Sequence, residues 1–208
     1  MKHKIIFYSA LICASLSVGA CNNVNKNVEN NEMKGMDGPD MMKAMHTSMT
    51  SMDDMKMTGN FDCDFASMMI IHHQGAIDMS EVQLQNGTDA DIKVMAQNII
   101  KSQKAEIDEM HILLDDFKVN PVVEKNNKGE FSNDMKDMMM KMKGMTTTGN
   151  TDKDYVTMMI PHHEAAVKMA KDQIANGKNE ALKIMAQKMI VDQNNELDLF
   201  KKWLANQK

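Results

Sequence analysis

One passage of this chain is written twice. "MMIIHHQGAI" begins at Met68 and "MMIPHHEAAV" at Met158, and 19 of the 47 positions of residues 61–107 recur identically in residues 151–197 at a constant offset of 90. The shared positions include Asp62/Asp152, Asp64/Asp154, Met79/Met169, Asn86/Asn176, Gly87/Gly177, the "MAQ" triplets at 95 and 185, Gln103/Gln193 and Glu106/Glu196. A duplication of this kind constrains the fold more than any other feature, because each copy must be one structural unit able to bury its apolar face against its neighbour.

The identity of the unit follows from its periodicity. In "TGNFDCD" Asn60 and Asp62 are suited to cap a helix N-terminus. A helical pattern then runs from about Phe65 to Asn86, with Gly87 as a C-terminal stop. A second helix starts near Thr88 or Asp89 and carries Ile92, Met95, Ile99, Ile107, Met110 and Leu114 at near-helical spacing until Pro121 ends the region. The short connection predicts an αα-hairpin. After a polar stretch the same programme begins again, so the chain is expected to be all-α: an antiparallel four-helix bundle built from two duplicated hairpins. The boundaries read as residues 40–118 for the first repeat, 119–133 for a linker and 134–208 for the second repeat.

Each hairpin is preceded by a methionine-rich segment. From Met33 to Asn60 there are nine methionines and no Leu, Ile, Val, Phe, Tyr or Trp, and Met42, Met45, Met49 and Met52 fall on one helical face. Met135, Met138, Met139, Met142 and Met145 repeat the theme ahead of "TTTGN". Methionine totals 26 residues, while aromatics make up only 4% of the chain. If packing were the only need, leucine would serve better, with similar helix propensity and better-defined rotamers. A run built from methionine implies that sulfur is wanted.

The chemistry concentrates at the repeated motif. On a helix, Met68, His72 and Met79 share one stripe, and Met69 and His73 form a second about 100° around. The copy offers Met158, Met159, His162, His163 and Met169. Methionines at this spacing can simply pack a core, but adjacent histidines do not both fit one narrow core stripe, and both copies keep the pair. Thioether is a soft donor suited to Cu(I), with Ag(I) as its mimic, and imidazole is borderline. Thiolates would bind Cu(I) more tightly but are prone to oxidation outside the cytoplasm, whereas methionine forms no disulfide. Met42, His46 and Met49 share a face of the first methionine segment and make a further candidate metal site. Met110 and His111 read better as surface packing, since Phe200 and Lys201 stand opposite them, and Cys63 reads as a lone half-buried thiol because Lys153 replaces it. Pro161, where the first copy has Ile71, bends its helix; it either re-aims the His pair or is merely tolerated.

The N-terminus points to export. Lys2 and Lys4, an apolar run from Ile5 to Val18, and Gly19–Ala20 before Cys21 form a signal peptide of residues 1–20, too short to span a bilayer comfortably. "LSVGAC" resembles a bacterial lipobox, which implies lipidation of Cys21 and a membrane-tethered mature chain on the periplasmic face or cell surface. Residues 21–39 are then a flexible tether, polar and asparagine-rich in "NNVNKNVENNE". The formal charge of −5, or −7 once the two lysines of residues 1–20 are removed, makes nucleic acid an unsuitable partner.

"DFASMMIIHHQGAIDMS" from Asp64 and "DYVTMMIPHHEAAVKMA" from Asp154, each followed by "MAQ" and "Q-x-x-E" portions, resemble the hallmark of the domain of unknown function 305 family, in two tandem copies. The resemblance implies a ferritin-like bundle, export and, by analogy with characterised members, copper binding through Met and His in copper tolerance. The reading is therefore a binding protein, not an enzyme, that sequesters Cu(I) or hands it to a copper-transfer partner protein. Two alternatives compete with it. A ferritin-like metal-dependent oxidase would need paired Glu-x-x-His motifs, which neither repeat contains, and Glu106 and Glu196 could equally be solvated. A methionine-rich interaction module would exploit the ease with which methionine repacks.

Overall fold

The computed structural model describes residues 41–119, 137–138, 140–142 and 144–207. The signal peptide, the tether, Cys21 and most of the linker lie outside the described residues. Five helices carry the architecture: α1 (Met41–Asp53), α2 (Phe61–Asn86), α3 (Ala90–Val119), α4 (Thr151–Asn176) and α5 (Glu180–Ala205). Residues 137–138 and 140–142 are also helical, with Met138 and Met142 buried. No strand occurs among the described residues, and none of their helices is long and apolar enough to cross a membrane.

Local chemistry sets the helix ends. Asn60 and Asn150 cap α2 and α4, each side-chain oxygen accepting from the backbone N–H three residues on, at Cys63 and Lys153. Gly59 and Gly149 precede them with φ at 83°, a left-handed conformation that glycine adopts without steric cost. Asp64 then folds back to accept from Thr58 N (2.7 Å), Thr58 Oγ1 (2.7 Å) and Gly59 N (3.0 Å), and Asp154 accepts from Thr148 N and Oγ1 in the same way. The start of α3 is closed by Asp89, whose Oδ1 accepts from Asp91 N and Ile92 N at 3.0 Å each.

Gly87 and Gly177 end their helices for a reason other than the expected left-handed cap. Both have φ of −66°. A Cβ at Gly87 would come within 2.1 Å of Gln83 Nε2, and one at Gly177 within 2.2 Å of Gln173 Nε2 and 2.7 Å of Asp62 Oδ1. Glycine is required because the backbone carbonyl of the same glutamine, 2.6 Å from the Cβ position at each site, is fixed by the helix and the amide fills the remaining space.

Those amides belong to the joint between the two copies. α2 and α3 pack as one hairpin, α4 and α5 as the other, and the hairpins meet chiefly through α2 and α4, while α3 and α5 touch only briefly. Gln83 donates to Asp152, Gln173 donates to Asp62, and His72 lies against His162, so α2 and α4 run antiparallel about a local two-fold axis between the two histidines. Asp152 also accepts from Thr88 N, Thr88 Oγ1 and Asp89 N, and Asp62 from Lys178 N and Asn179 N. Each copy thus uses its first motif aspartate to hold the hairpin turn of the other. Burial pushes the Asp152 carboxyl up, but its hydrogen bonds from Gln83, Thr88 and Asp89 outweigh this and hold it below the ordinary range.

α1 covers α2 from outside, burying Met41, Met45, Met49 and Met52 in the common core. The approach is close: Ser48 Oγ donates to the Ile71 carbonyl at 3.2 Å, and a Cβ on Gly75 would meet Ser48 Oγ at 2.4 Å. With α1, α3 and α4 around it, α2 is buried on every side from Phe61 to Ile70.

Candidate metal centre

Adjacent histidines can both be interior because α2 and α4 are each packed on two faces, against one another and against the second helix of their own hairpin. His72 faces α4 and His73 faces α3, and the same holds for His162 and His163 across the axis. The four imidazoles form one chain across the core. The His72 and His162 rings stack at 3.6 Å between centroids, tilted by 35°, while His72–His73 and His162–His163 are 6.3 and 6.2 Å apart. None of the four ring nitrogens of His72 and His162 makes a hydrogen bond of good geometry, although each ring lies close to the other's backbone. Burial first, and the neighbouring histidines second, push both imidazoles well below the ordinary value, so they are neutral and their lone pairs are free for a cation.

The outer pair is anchored. His73 Nε2 is 2.9 Å from Glu106 Oε2 and His163 Nε2 is 2.8 Å from Glu196 Oε2, leaving Nδ1 of each ring buried and without a partner. Burial raises the Glu106 carboxyl, yet its bond to His73 and the nearby Lys188 outweigh burial and bring it below its ordinary range. Reading the two glutamates as solvated is therefore corrected: Glu106 is buried and Glu196 half-buried, each engaged with a histidine. Their spacing of 33 residues from the histidines hid the pairing, which only the hairpin register reveals.

The thioethers of the motif are all interior. Met68, Met69, Met79, Met158, Met159 and Met169 are buried within the cluster that holds the histidines' helices together. Among the described residues no group of three or more His, Cys, Asp or Glu side chains gathers in a way that could hold a metal ion. The donors this core offers are imidazole nitrogen and methionine sulfur, and such soft and borderline donors fit Cu(I) or Ag(I).

Other candidates separate. In α1, Met49 is buried and Met42 half-buried, but His46 is exposed, so the three do not share one environment. Met110 is fully buried, correcting its assignment to the surface, whereas His111 is exposed. Cys63 is fully buried and disulfide-bonded, not a lone half-buried thiol; Cys13 and Cys21, the other cysteines, lie outside the described residues. Pro161 does not re-aim its histidines: the His162–His163 and His163–Glu196 geometries match those of the first copy to within 0.1 Å. Phe200, which the sequence marked only as the counterpart of Met110, stands edge-on to His163 at 5.6 Å and to Tyr155 at 5.8 Å.

The arrangement has known relatives. CopM in the Cu(I)-bound form is 31% identical with a TM-score of 0.55, covering 70% of this chain and 96% of that one. CopM in an Ag-bound form is 31% identical with a TM-score of 0.56 over the same shares of the two chains. A DUF305 protein from Streptomyces coelicolor shares the fold at 24% identity and a TM-score of 0.56, covering 71% of this chain and 92% of that one. No curated protein matches the sequence. The model of the family described as Domain of unknown function (DUF305) matches twice, over residues 17–114 and 62–204, so that both copies of the His–His motif are included. The chain belongs to the DUF305 family.

Proposed function

We propose that this protein is an exported copper-binding protein that holds Cu(I), with Ag(I) as a mimic, through the motif methionines and histidines, and so sequesters copper or passes it to a partner protein. The observation that carries this reading is the set of unpartnered ring nitrogens in the core, two each on His72 and His162 and one each on His73 and His163, among buried thioethers. A buried polar atom without a partner is a cost of folding that a bound cation removes. The Cu(I)-bound and Ag-bound forms of CopM support the choice of metal. The donors are Met68, Met69, His72, His73 and Met79 with Met158, Met159, His162, His163 and Met169. Exposed His46 and half-buried Met42 would serve as an outer station, with buried Met49 beneath them to pass copper inward. The stacked pair does not aim at one point as it stands, because imidazole lone pairs lie in the ring planes. A shared ion would therefore turn the rings.

The reading is one of binding without turnover, in which Glu106 and Glu196 serve as hydrogen-bond partners of His73 and His163. Titration of the purified mature protein with Cu(I) against a competing chelator tests the reading. Tight uptake is expected, with a large loss when His72, His73, His162 and His163 are all changed to alanine; equal binding by that variant would refute it.

The same reading places the mature chain on a membrane through lipid on Cys21. Removal of residues 1–20 takes Cys13 away, so lipid on Cys21 would leave Cys63 as a reduced thiol in the mature chain, and intact-mass measurement on protein from its native membranes decides between the anchor and the disulfide. A diacylglyceryl mass on Cys21 is expected, and a Cys21–Cys63 disulfide would exclude it.

A further inference from the structure

We propose that Glu106 and Glu196 are positioning residues that make His73 and His163 metal donors through Nδ1, giving two carboxylate-backed stations on either side of the unbacked His72–His162 pair. This rests on the copper-binding reading and adds to it which atom binds and what orients it.

The chain of inference is chemical. An ionised carboxylate only accepts hydrogen bonds, so the contacts of 2.9 and 2.8 Å require the proton to be on Nε2 of His73 and His163. A neutral imidazole protonated there has its lone pair on Nδ1. Those Nδ1 atoms are buried and have no partner in either copy. The glutamate thus fixes both the tautomer and the ring orientation and makes the opposite nitrogen more basic, the service an outer carboxylate gives a metal-bound histidine. Met69 and Met159 stand one helical turn before these histidines on the same stripe, and both are fully buried, so a soft donor lies next to each Nδ1 stripe. The inner histidines differ in kind: neither has a carboxylate partner and all four of their ring nitrogens lack hydrogen bonds. Two adjacent histidines in one motif therefore have two roles, a donor anchored by a carboxylate and a ring held only by packing and stacking.

The test is nitrogen NMR of histidine side chains in the full protein, metal-free and with Ag(I) added, in the wild type and in Glu106→Gln and Glu196→Gln. Metal-free His73 and His163 are expected as Nε2–H tautomers, with Ag(I) moving the Nδ1 resonances. Each Gln variant is expected to keep its helical content, to show a mixed tautomer at its own histidine only, and to bind Ag(I) roughly 10–100-fold more weakly at that station. Silver bound through Nε2, unmoved His73 and His163 resonances, or Gln variants that bind as tightly as wild type would overturn the positioning role while leaving metal binding intact. No uptake of Ag(I) at all would overturn both readings. Should a Gln variant fail to fold, the wild-type tautomer and its response to silver decide the matter.

Discussion

The two halves agree at the histidines and differ in what surrounds them. In the first half Ser48, Ile71 and Gly75 form a close polar contact between α1 and α2. At the same three places the second half has Met138, Pro161 and Ala165, and Met138 is buried. Pro161 keeps a backbone carbonyl like that of Ile71, but Met138 has no hydroxyl to donate to it and Ala165 carries the methyl that Gly75 lacks, so the polar contact of the first half has no counterpart. A further difference lies behind the outer histidines. Glu106 receives Lys188 at 3.3 Å, but Asn98 occupies the position equivalent to Lys188, and Phe200 replaces Met110 beside the second pair. The core is thus held to two-fold symmetry while its cover is not.

The severest way to break the comparison is to cut the clamps on which the symmetry rests. Asp62→Ala and Asp152→Ala each leave several donors without an acceptor and should each cost about 3 kcal/mol, measured by urea unfolding. Equal losses are expected; a loss in one half alone would show that the axis is only approximate in energy. Acid comes next. His72 and His162 are held neutral in the fold, so the unfolded chain binds more protons as pH falls below the ordinary histidine value of 6.5. Metal-free protein should keep its full stability above that pH and lose it below, by up to about 1.4 kcal/mol per pH unit for each histidine. His72→Gln and His162→Gln should each remove one proton's share of that slope in thermal melts across the range.

Gly75→Ala sharpens the contrast between covers. Its new methyl would strike Ser48, costing about 1–3 kcal/mol and speeding amide exchange in α1. Ala165→Gly, the mirror change, should cost about 1–2 kcal/mol through helix propensity and the loss of one buried methyl, and leave α1 exchange unaltered. The smallest effect concerns Lys188, which is largely exposed and draws on the Glu106 carboxylate. Lys188→Asn should tighten metal at His73 by less than about fivefold, as befits a surface ion pair, and bring the two outer stations closer in a resolved Cu(I) titration.

Much of this was legible in the residues. The offset of 90, the "TGN" caps and the glycine stops define two hairpins, and the neighbouring Met and His positions mark the core that the fold encloses. Three things were not. The antiparallel match of α2 to α4 depends on which of several similar faces meet, and its specific bonds run through Gln83 and Gln173, polar residues in their helix interiors, and through Asp152 and Asp62, the latter read as a helix cap although Asn60 alone caps α2. The Glu106 and Glu196 pairings depend on hairpin register, which a one-turn error in the loop would erase. The α1 methionines showed their soft chemistry but not their packing, and Met45, Met49 and Met52 are buried against α2 as part of the common core.

The crossed clamps also bear on how the molecule assembles. Each hairpin closes over short sequence distances, but Asp62 reaches Asn179, 117 residues away, and Asp152 reaches back to Thr88 across 64. Local pairings form quickly and distant ones late, so the turns of both hairpins are locked only when the halves dock. Neither half is self-sufficient, and each presents a surface complementary to its twin. A single hairpin unit expressed alone is therefore expected to pair with a second copy of itself about the same axis, as a two-fold homodimer does, reproducing in two chains what the duplicated gene now carries in one.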